Sequence, residues 1–196
     1  MRKEFLSLPT VYPITDTSIS RLSHAEQVAF FADGGATFVQ LREKRMPALQ
    51  FYEQAKAAQA VAAQRGVQLI INDRVDIALA LGGVGVHLGQ DDLPPEAARR
   101  LLGEEAVIGY STHSVEQAVQ ATRFPIDYLA IGPIFPTATK ENPSPVVGLD
   151  GLRAVRSVIG NLPLVAIGGI TPANLPAVID AGANSGAMIS GLWSAG

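Results

Sequence analysis

Short apolar runs alternate with segments of helical periodicity along the whole chain. Most runs show no apolar–polar alternation and end at polar or glycine residues, which is typical of strands buried on both faces of a parallel sheet. They lie at residues 11–16, 38–43, 68–73, 85–90, 107–113, 128–135, 164–169 and 186–190. The pattern therefore predicts eight parallel strands.

The segments between these runs carry the start and stop signals of helices. Ser23 with Glu26, and Ser114 with Gln117, have the spacing of a capping box. Thr171 followed by Pro172 indicates a helix that begins at the proline. Residues 47–65 repeat apolar side chains at helical spacing. Glycines stand where helices should end, at Gly34, Gly35, Gly66, Gly82, Gly83, Gly103 and Gly182.

Eight βα repeats within 196 residues predict a single α/β domain, residues 1–196, folded as a small (β/α)₈ TIM barrel. An open doubly wound sheet is the alternative, but no G-x-G-x-x-G motif follows the first strand. Such barrels typically have about 250 residues. Only residues 191–196 follow the eighth run, so we expect the last helix to be missing or truncated.

Composition narrows the functional classes. The chain is 47% hydrophobic but only 6% aromatic, which predicts an aliphatic core. A net charge of −3 argues against nucleic acid or an anionic membrane as a partner. The chain has no cysteine, which excludes disulfides and a cysteine nucleophile. We see no signal-peptide core or membrane-length apolar run, and therefore expect a cytoplasmic protein.

The second strand ends in a basic segment. Alternation along a strand places Gln40, Arg42 and Lys44 on one face, which points into the mouth of a barrel. Two cations and an amide that converge there would bind a phosphate-rich group through charge-assisted hydrogen bonds. The alternative is a solvated strand end with no ligand.

Carboxylates follow the next two strands. Asp73 stands at the end of the third run, and Asp91 and Asp92 follow the fourth. Neighbouring loops at the mouth would bring Asp73 close to Asp91 or Asp92, and one or two carboxylates plus substrate phosphates are the usual ligands of Mg²⁺. The alternative is that Asp73 and Asp92 each cap the helix that follows.

The remaining strand ends offer hydroxyls, a histidine and glycines. Ser111 could donate to phosphate oxygens, and His113 is either an acid–base group or an ordinary rim histidine. The loop after the sixth strand is either an anion clamp or a flexible surface loop, and its polar residues are Thr137, Thr139 and Lys140. Gly168 and Gly169 favour a backbone phosphate site, or else a tight turn.

Several motifs in this order resemble the thiamine-phosphate synthase family. They are Gln40-Leu41-Arg42-Glu43-Lys44 and the segments 71–78, 85–92, 132–140 and 166–170, and the likeness extends from Tyr12 to about Ser190. The resemblance implies an enzyme that couples 4-amino-2-methyl-5-(diphosphooxymethyl)pyrimidine to thiazole phosphate and releases diphosphate. It also implies a Mg²⁺ cofactor, small-molecule substrates and a possible homodimer.

The resemblance assigns roles to residues. It implies Asp73 and Asp92 as Mg²⁺ ligands. Arg42, Lys44, Ser111 and Lys140 are implied to be catalytic. Residues implied to bind the pyrimidine diphosphate are Gln40, Leu41, Arg42, Glu43, Lys44, Asn72, Ser111 and Lys140. Residues implied to hold the thiazole phosphate are Thr137, Ala138, Thr139, Gly168, Gly169, Ile189 and Ser190.

Three other functions compete with this reading. The related thiazole tautomerase shares the barrel and would use a histidine such as His113, but it needs no Mg²⁺–diphosphate site. A non-catalytic phosphate-binding barrel would not need the full set of metal and cation positions. A phosphosugar aldolase would need a Schiff-base lysine deep within a strand, which the sequence lacks.

Overall fold

The computed structural model describes residues 6–137 and 144–193. Its eight strands form a closed parallel barrel in chain order, with the eighth strand paired to the first. The strands are β1 Val11–Thr15, β2 Phe38–Leu41, β3 Gln68–Asn72, β4 Gly85–Leu88, β5 Ile108–Thr112, β6 Tyr128–Ile131, β7 Leu164–Ile167 and β8 Ser185–Met188. The predicted barrel is confirmed. Each strand ends before its predicted run does, because the last residues of each run enter the loops at the mouth.

Helices cover the outside of the barrel. They are α1 Thr17–Ser20, α2 His24–Asp33, α3 Ala48–Arg65, α4 Val75–Leu81, α5 Pro95–Leu102, α6 Val115–Ala121, α7 Gly148–Ile159 and α8 Leu175–Asp180. After β8 the described residues form only a 3₁₀ turn, Ser190–Leu192. No helix in the described part of the chain is long and apolar enough to cross a membrane.

The predicted helix starts were right at α2 and wrong at α8. Ser23 and Glu26 form the full capping box. At α6, Ser114 accepts from Gln117 N, whereas the Gln117 side chain accepts from His113 N instead of closing the box. The last helix begins at Leu175 and not at Pro172. Asn174 accepts from Thr171 N and donates to Gly169 O, and these bonds hold the preceding residues in a turn.

The barrel interior differs from the outer layer in carrying polar groups. Between strands and helices the packing is aliphatic and continuous. Inside the barrel, the rings of Tyr12, Phe38 and Tyr128 pack edge to face with one another. Ile14 and Ile70 belong to the same cluster. Buried polar side chains lie along the same axis at Gln40, Asn72 and His87. The interior therefore changes from apolar to hydrogen-bonding toward the mouth.

Candidate functional site

The basic end of β2 is held by an aspartate from the end of β1. Arg42 Nη1 donates to Asp16 Oδ2 at 2.9 Å, and Arg42 N donates to Thr15 Oγ1 at 3.2 Å. The other oxygen of Asp16, Oδ1, accepts from the first backbone amides of α1. Only one guanidinium nitrogen is committed to Asp16, so the pair orients Arg42 and leaves further donors for a ligand.

A second group of charges joins β2, β3 and β4. Lys44 Nζ donates to Asp73 Oδ2. Asp92 accepts from Gly89 N at 2.7 Å, and both burial and the nearby charge of Asp73 raise the pKa of its carboxyl group. Two carboxylates this close together form a site of negative potential that favours a bound cation.

These carboxylates do not act as helix caps. Arg74 is the N-cap residue of α4 and Pro94 that of α5, and neither helix has a side-chain cap bond. Asp73 has a φ of +62°, a left-handed conformation that an aspartate adopts only at some cost. The strained backbone directs its side chain toward Lys44. The capping alternative is thus not what the structure shows.

The carboxylates of Asp73 and Asp92 suit a divalent ion whose remaining ligands are phosphate oxygens. No group of three or more His, Asp or Glu side chains gathers within residues 6–137 and 144–193. Two carboxylates are, however, what Mg²⁺ commonly takes from a protein when substrate phosphates complete its coordination. The residues present therefore fit Mg²⁺ bound together with a diphosphate.

Polar side chains of the inner wall lie next to this group. Asn72 is 7% exposed, and its Nδ2 has no hydrogen-bond partner among residues 6–137 and 144–193. An unpaired buried donor is costly, so it marks a place where a ligand oxygen would be stabilised. Ser111 Oγ lies 2.7 Å from His87 Nε2, and Gln40 Nε2 donates to Tyr12 Oη at 3.0 Å.

Two residues of the basic segment face elsewhere. Leu41 is fully buried in the layer between barrel and helices. Glu43 accepts from the backbone amides of residues 44–46 and from Thr17 Oγ1. The side chain of Glu43 therefore shapes the β2 loop, and Leu41 can offer a ligand only its backbone.

Close packing of the β6 and β7 loops explains the paired glycines. Gly168 and Gly169 have φ of +99° and +64°. A Cβ on Gly168 would lie 2.5 Å from Pro133 Cβ, and one on Gly169 would lie 2.6 Å from Pro136 O. Phe135 N donates to Gly168 O at 3.0 Å, which ties the two loops together. The glycines thus allow the β6 and β7 loops to pack closely.

Other residues of the sequence prediction lie around or outside this region. Ile189 is partly buried, and Ser190 is exposed at the start of the 3₁₀ turn. Thr137 is partly buried at the end of the described β6 loop. Ala138, Thr139 and Lys140 lie outside the described residues. His113 donates through Nδ1 to Gly132 O, so one ring nitrogen joins the β5 and β6 loops.

The sequence prediction missed two groups of the mouth. Asp16 follows β1 directly, so the reading of strand ends could have found it. His87 lies in the middle of an apolar run, where alternation places it on the interior face with Gly85 and Gly89. Its position one residue before the end of β4 was the available signal.

Comparison with known proteins gives consistent matches over nearly the whole chain. A family model described as thiamine monophosphate synthase matches residues 11–192. A thiamine-phosphate synthase of Chloroflexus aurantiacus is 46% identical over 186 residues, which cover 94% of this chain and 85% of that protein. One of Koribacter versatilis is 48% identical, with coverage of 95% and 90%. The solved thiamine phosphate pyrophosphorylase of Pyrococcus furiosus has a TM-score of 0.84 and 35% identity, with coverage of 95% and 88%.

Proposed function

This chain belongs to the thiamine monophosphate synthase family, and we propose that it is a transferase that couples the pyrimidine diphosphate to thiazole phosphate, giving thiamine phosphate and diphosphate. One observation in the structure carries the proposal. The carboxylates of Asp73 and Asp92 lie together beside Lys44, at the same mouth as the oriented guanidinium of Arg42. A diphosphate with a divalent ion is the ligand that needs both kinds of group.

The leaving-group side is assigned to β2, β3 and β4. Asp73 and Asp92 would hold Mg²⁺, which when bound neutralises charge on the diphosphate oxygens. Arg42 and Lys44 would donate to the same phosphates, and Lys140 is proposed as a further cation. The unpaired amide of Asn72 supports a substrate oxygen in that place. Gln40 and Ser111 would contact the rest of the pyrimidine diphosphate.

The bond changes need no nucleophile from the protein. The bond between the methylene carbon and the diphosphate oxygen breaks, and its electron pair leaves with the diphosphate. The electron-rich aminopyrimidine stabilises the cation, and the thiazole nitrogen donates the pair for the new carbon–nitrogen bond. The side chains therefore contribute alignment of the two substrates and neutralisation of the leaving group.

The acceptor substrate is assigned to the opposite side of the mouth. The thiazole phosphate would be held by Gly168, Gly169, Ile189 and Ser190. At this position of a barrel, after the seventh and eighth strands, backbone amide groups can approach a phosphate closely, above all at glycines. Thr137, Ala138 and Thr139 would contribute from the β6 loop. The two substrates would then meet over the mouth with the reacting atoms between them.

Two further properties remain predictions. We propose that the enzyme works in the cytoplasm on free small molecules. We also expect a homodimer, which sedimentation at several protein concentrations would test.

A coupling assay separates this function from its rivals. The protein is mixed with pyrimidine diphosphate, thiazole phosphate and Mg²⁺, and the products are separated by chromatography. We expect thiamine phosphate and diphosphate in equal amounts. Isomerisation of a thiazole tautomer without the pyrimidine diphosphate would indicate a tautomerase, and binding of both substrates without product would indicate a non-catalytic barrel.

A further inference from the structure

A continuous line of hydrogen bonds crosses the barrel interior beneath the mouth. Gln40 Nε2 donates to Tyr12 Oη at 3.0 Å, and Tyr12 Oη lies 3.0 Å from Tyr128 Oη. Tyr128 Oη lies 2.9 Å from His87 Nδ1, and His87 Nε2 lies 2.7 Å from Ser111 Oγ. The line therefore joins two proposed pyrimidine-binding residues through three side chains with no assigned role.

Packing fixes the middle of this line. Tyr12 and Tyr128 are fully buried, and the Tyr128 ring stacks on the His87 ring with centroids 5.4 Å apart. A Cβ on Gly109 would lie 2.4 Å from Tyr128 Oη and 2.5 Å from His87 Nδ1. A glycine at that position is thus what allows the phenol and the imidazole to meet.

Counting protons gives the line a direction. Gln40 Nε2 can only donate, so Tyr12 Oη accepts there, and its own proton then has one described acceptor, Tyr128 Oη. Tyr128 Oη then donates its own proton to His87 Nδ1, which makes Nδ1 the acceptor. A neutral ring then carries its proton on Nε2 and donates it to Ser111 Oγ. Each of the four hydrogen bonds in the line then has one donor and one acceptor.

The surroundings favour the neutral forms that this direction requires. The His87 side chain is buried and stacks on the fully buried ring of Tyr128, where a charged imidazole would lose its hydration. Burial raises the pKa of Tyr12 and of Tyr128. At neutral pH the line therefore consists of two phenols and an uncharged imidazole.

We infer that Tyr12, Tyr128 and His87 are positioning residues that fix the hydrogen-bonding polarity of Gln40 and Ser111 toward the ligand. One N–H of Gln40 Nε2 is bonded to Tyr12, which fixes the orientation of the amide and leaves Oε1 to offer as an acceptor. With Oγ already accepting from His87, Ser111 has its proton left to donate. A ligand that brings a donor to Gln40 Oε1 and an acceptor to the Ser111 hydroxyl proton therefore matches both groups. An exocyclic amino group, together with a ring nitrogen or a phosphate oxygen, provides both, so this inference rests on the proposed function for the identity of the ligand.

The position of the imidazole proton tests the inference without any substrate. ¹⁵N NMR of the intact protein at pH 7, with the His87 signals identified by their loss in His87→Gln, distinguishes the two neutral tautomers. We expect a protonated Nε2 and an unprotonated Nδ1. A proton on Nδ1 would reverse the bonds of His87 to Tyr128 and to Ser111, and a charged ring would donate to both, so either result overturns the inference. A correct tautomer in a protein that makes no thiamine phosphate would instead refute only the proposed function.

A phenol deletion tests the effect on substrate binding. Tyr128→Phe removes the hydroxyl that links Tyr12 to His87, and Tyr52→Phe is the matched control on α3, outside the barrel. We expect Tyr128→Phe to mix the His87 tautomers and to raise KM for the pyrimidine diphosphate about tenfold, leaving KM for the thiazole phosphate unchanged. Tyr12→Phe breaks the line one bond earlier and replaces Tyr128→Phe if that variant does not fold. A folded variant with an unchanged tautomer and unchanged KM, or with both KM values raised equally, would refute the positioning role.

Discussion

Lys44 and Asp73 form an ion pair that joins the end of β2 to the end of β3 at the mouth of the barrel. The lysine thus already compensates the carboxylate that is proposed to hold a metal ion. The pair is partly solvated, with half of the Lys44 side chain exposed. Exchange of Lys44 from Asp73 to an incoming diphosphate would couple metal binding to substrate binding.

Removal of the lysine charge should strengthen Mg²⁺ binding to the free protein. Lys44→Gln deletes a cation that competes for Asp73, so we expect Mg²⁺ affinity measured by calorimetry to rise by up to about fivefold. The same variant should bind the pyrimidine diphosphate more weakly. Lys56→Gln is the control, since Lys56 is an exposed residue in the middle of α3. Weaker Mg²⁺ binding by Lys44→Gln would show that the ion pair does not compete with the metal.

Neutralisation of Asp16 should weaken substrate binding through Arg42. Asp16→Asn keeps the oxygen that accepts from Ser18 N and Ile19 N, but it removes the charge that orients the guanidinium. We expect KM for the pyrimidine diphosphate to rise about three- to tenfold with little change in stability. Asp33→Asn, which neutralises the exposed partner of Arg65, serves as the comparison. An unchanged KM in Asp16→Asn would mean that Arg42 needs no partner.

A methyl group at Gly168 should cost more than one at an open glycine. Gly66 has a φ of +67° and open space around its missing Cβ, so Gly66→Ala should lower the free energy of unfolding by about 1 kcal/mol. Gly168→Ala adds overlap with Pro133 Cβ and Cα, and should cost a further 1–3 kcal/mol or so. Urea unfolding measures both variants. Equal losses would show that the β6 and β7 loops separate easily.

Acid should destabilise the protein through its buried histidines. Burial lowers the pKa of His87 from 6.5 to about 4, and burial also lowers the pKa of His24. Between about pH 4 and pH 6.5, His87 binds a proton in the unfolded chain but not in the folded chain. The contribution of His87 is therefore complete above about pH 6.5 and is lost as the pH falls toward 4, by roughly 3 kcal/mol at most.

The variant His87→Gln isolates that contribution. It cannot titrate, so the decline of its unfolding free energy between pH 7 and pH 4.5 should be shallower than that of the unmodified protein. Comparing slopes cancels the opposite effect of Asp92, whose pKa is raised. Parallel slopes would mean that His87 is protonated in the folded protein at the lower pH.

The barrel could be predicted because its strands have a local signature. The predicted run 68–73, for example, is apolar up to Asn72, and the observed strand covers residues 68–72 of it. The approach of Asp73 to Asp92 also followed from the order of the strands. The start of α8 could not be read from Thr171-Pro172, because the carboxamide of Asn174 holds the chain in a turn that propensities do not report.

The interior line of hydrogen bonds could not be predicted from local patterns. Tyr12, His87 and Tyr128 lie in runs that look like ordinary core, on β1, β4 and β6. Only closure of the barrel brings these side chains to a common axis. The pairing of Lys44 with Asp73 is of the same kind, since it depends on the reach of a long side chain between two strand ends.

The central claim is that Asp73 and Asp92 hold the divalent ion that accompanies the departing diphosphate. The most direct measurement is the rate of thiamine phosphate formation at saturating substrates, in Mg²⁺ and in excess EDTA, for the unmodified protein, Asp73→Asn and Asp76→Asn. Asparagine tolerates the left-handed backbone of residue 73, and Asp76 is an exposed partner of Arg74 in the first turn of α4, so both variants should fold. We predict that EDTA abolishes the reaction, that added Mg²⁺ restores it, and that only Asp73→Asn lowers the Mg²⁺-dependent rate, by about 100-fold or more. Full activity in excess EDTA, or in Asp73→Asn, would contradict the account.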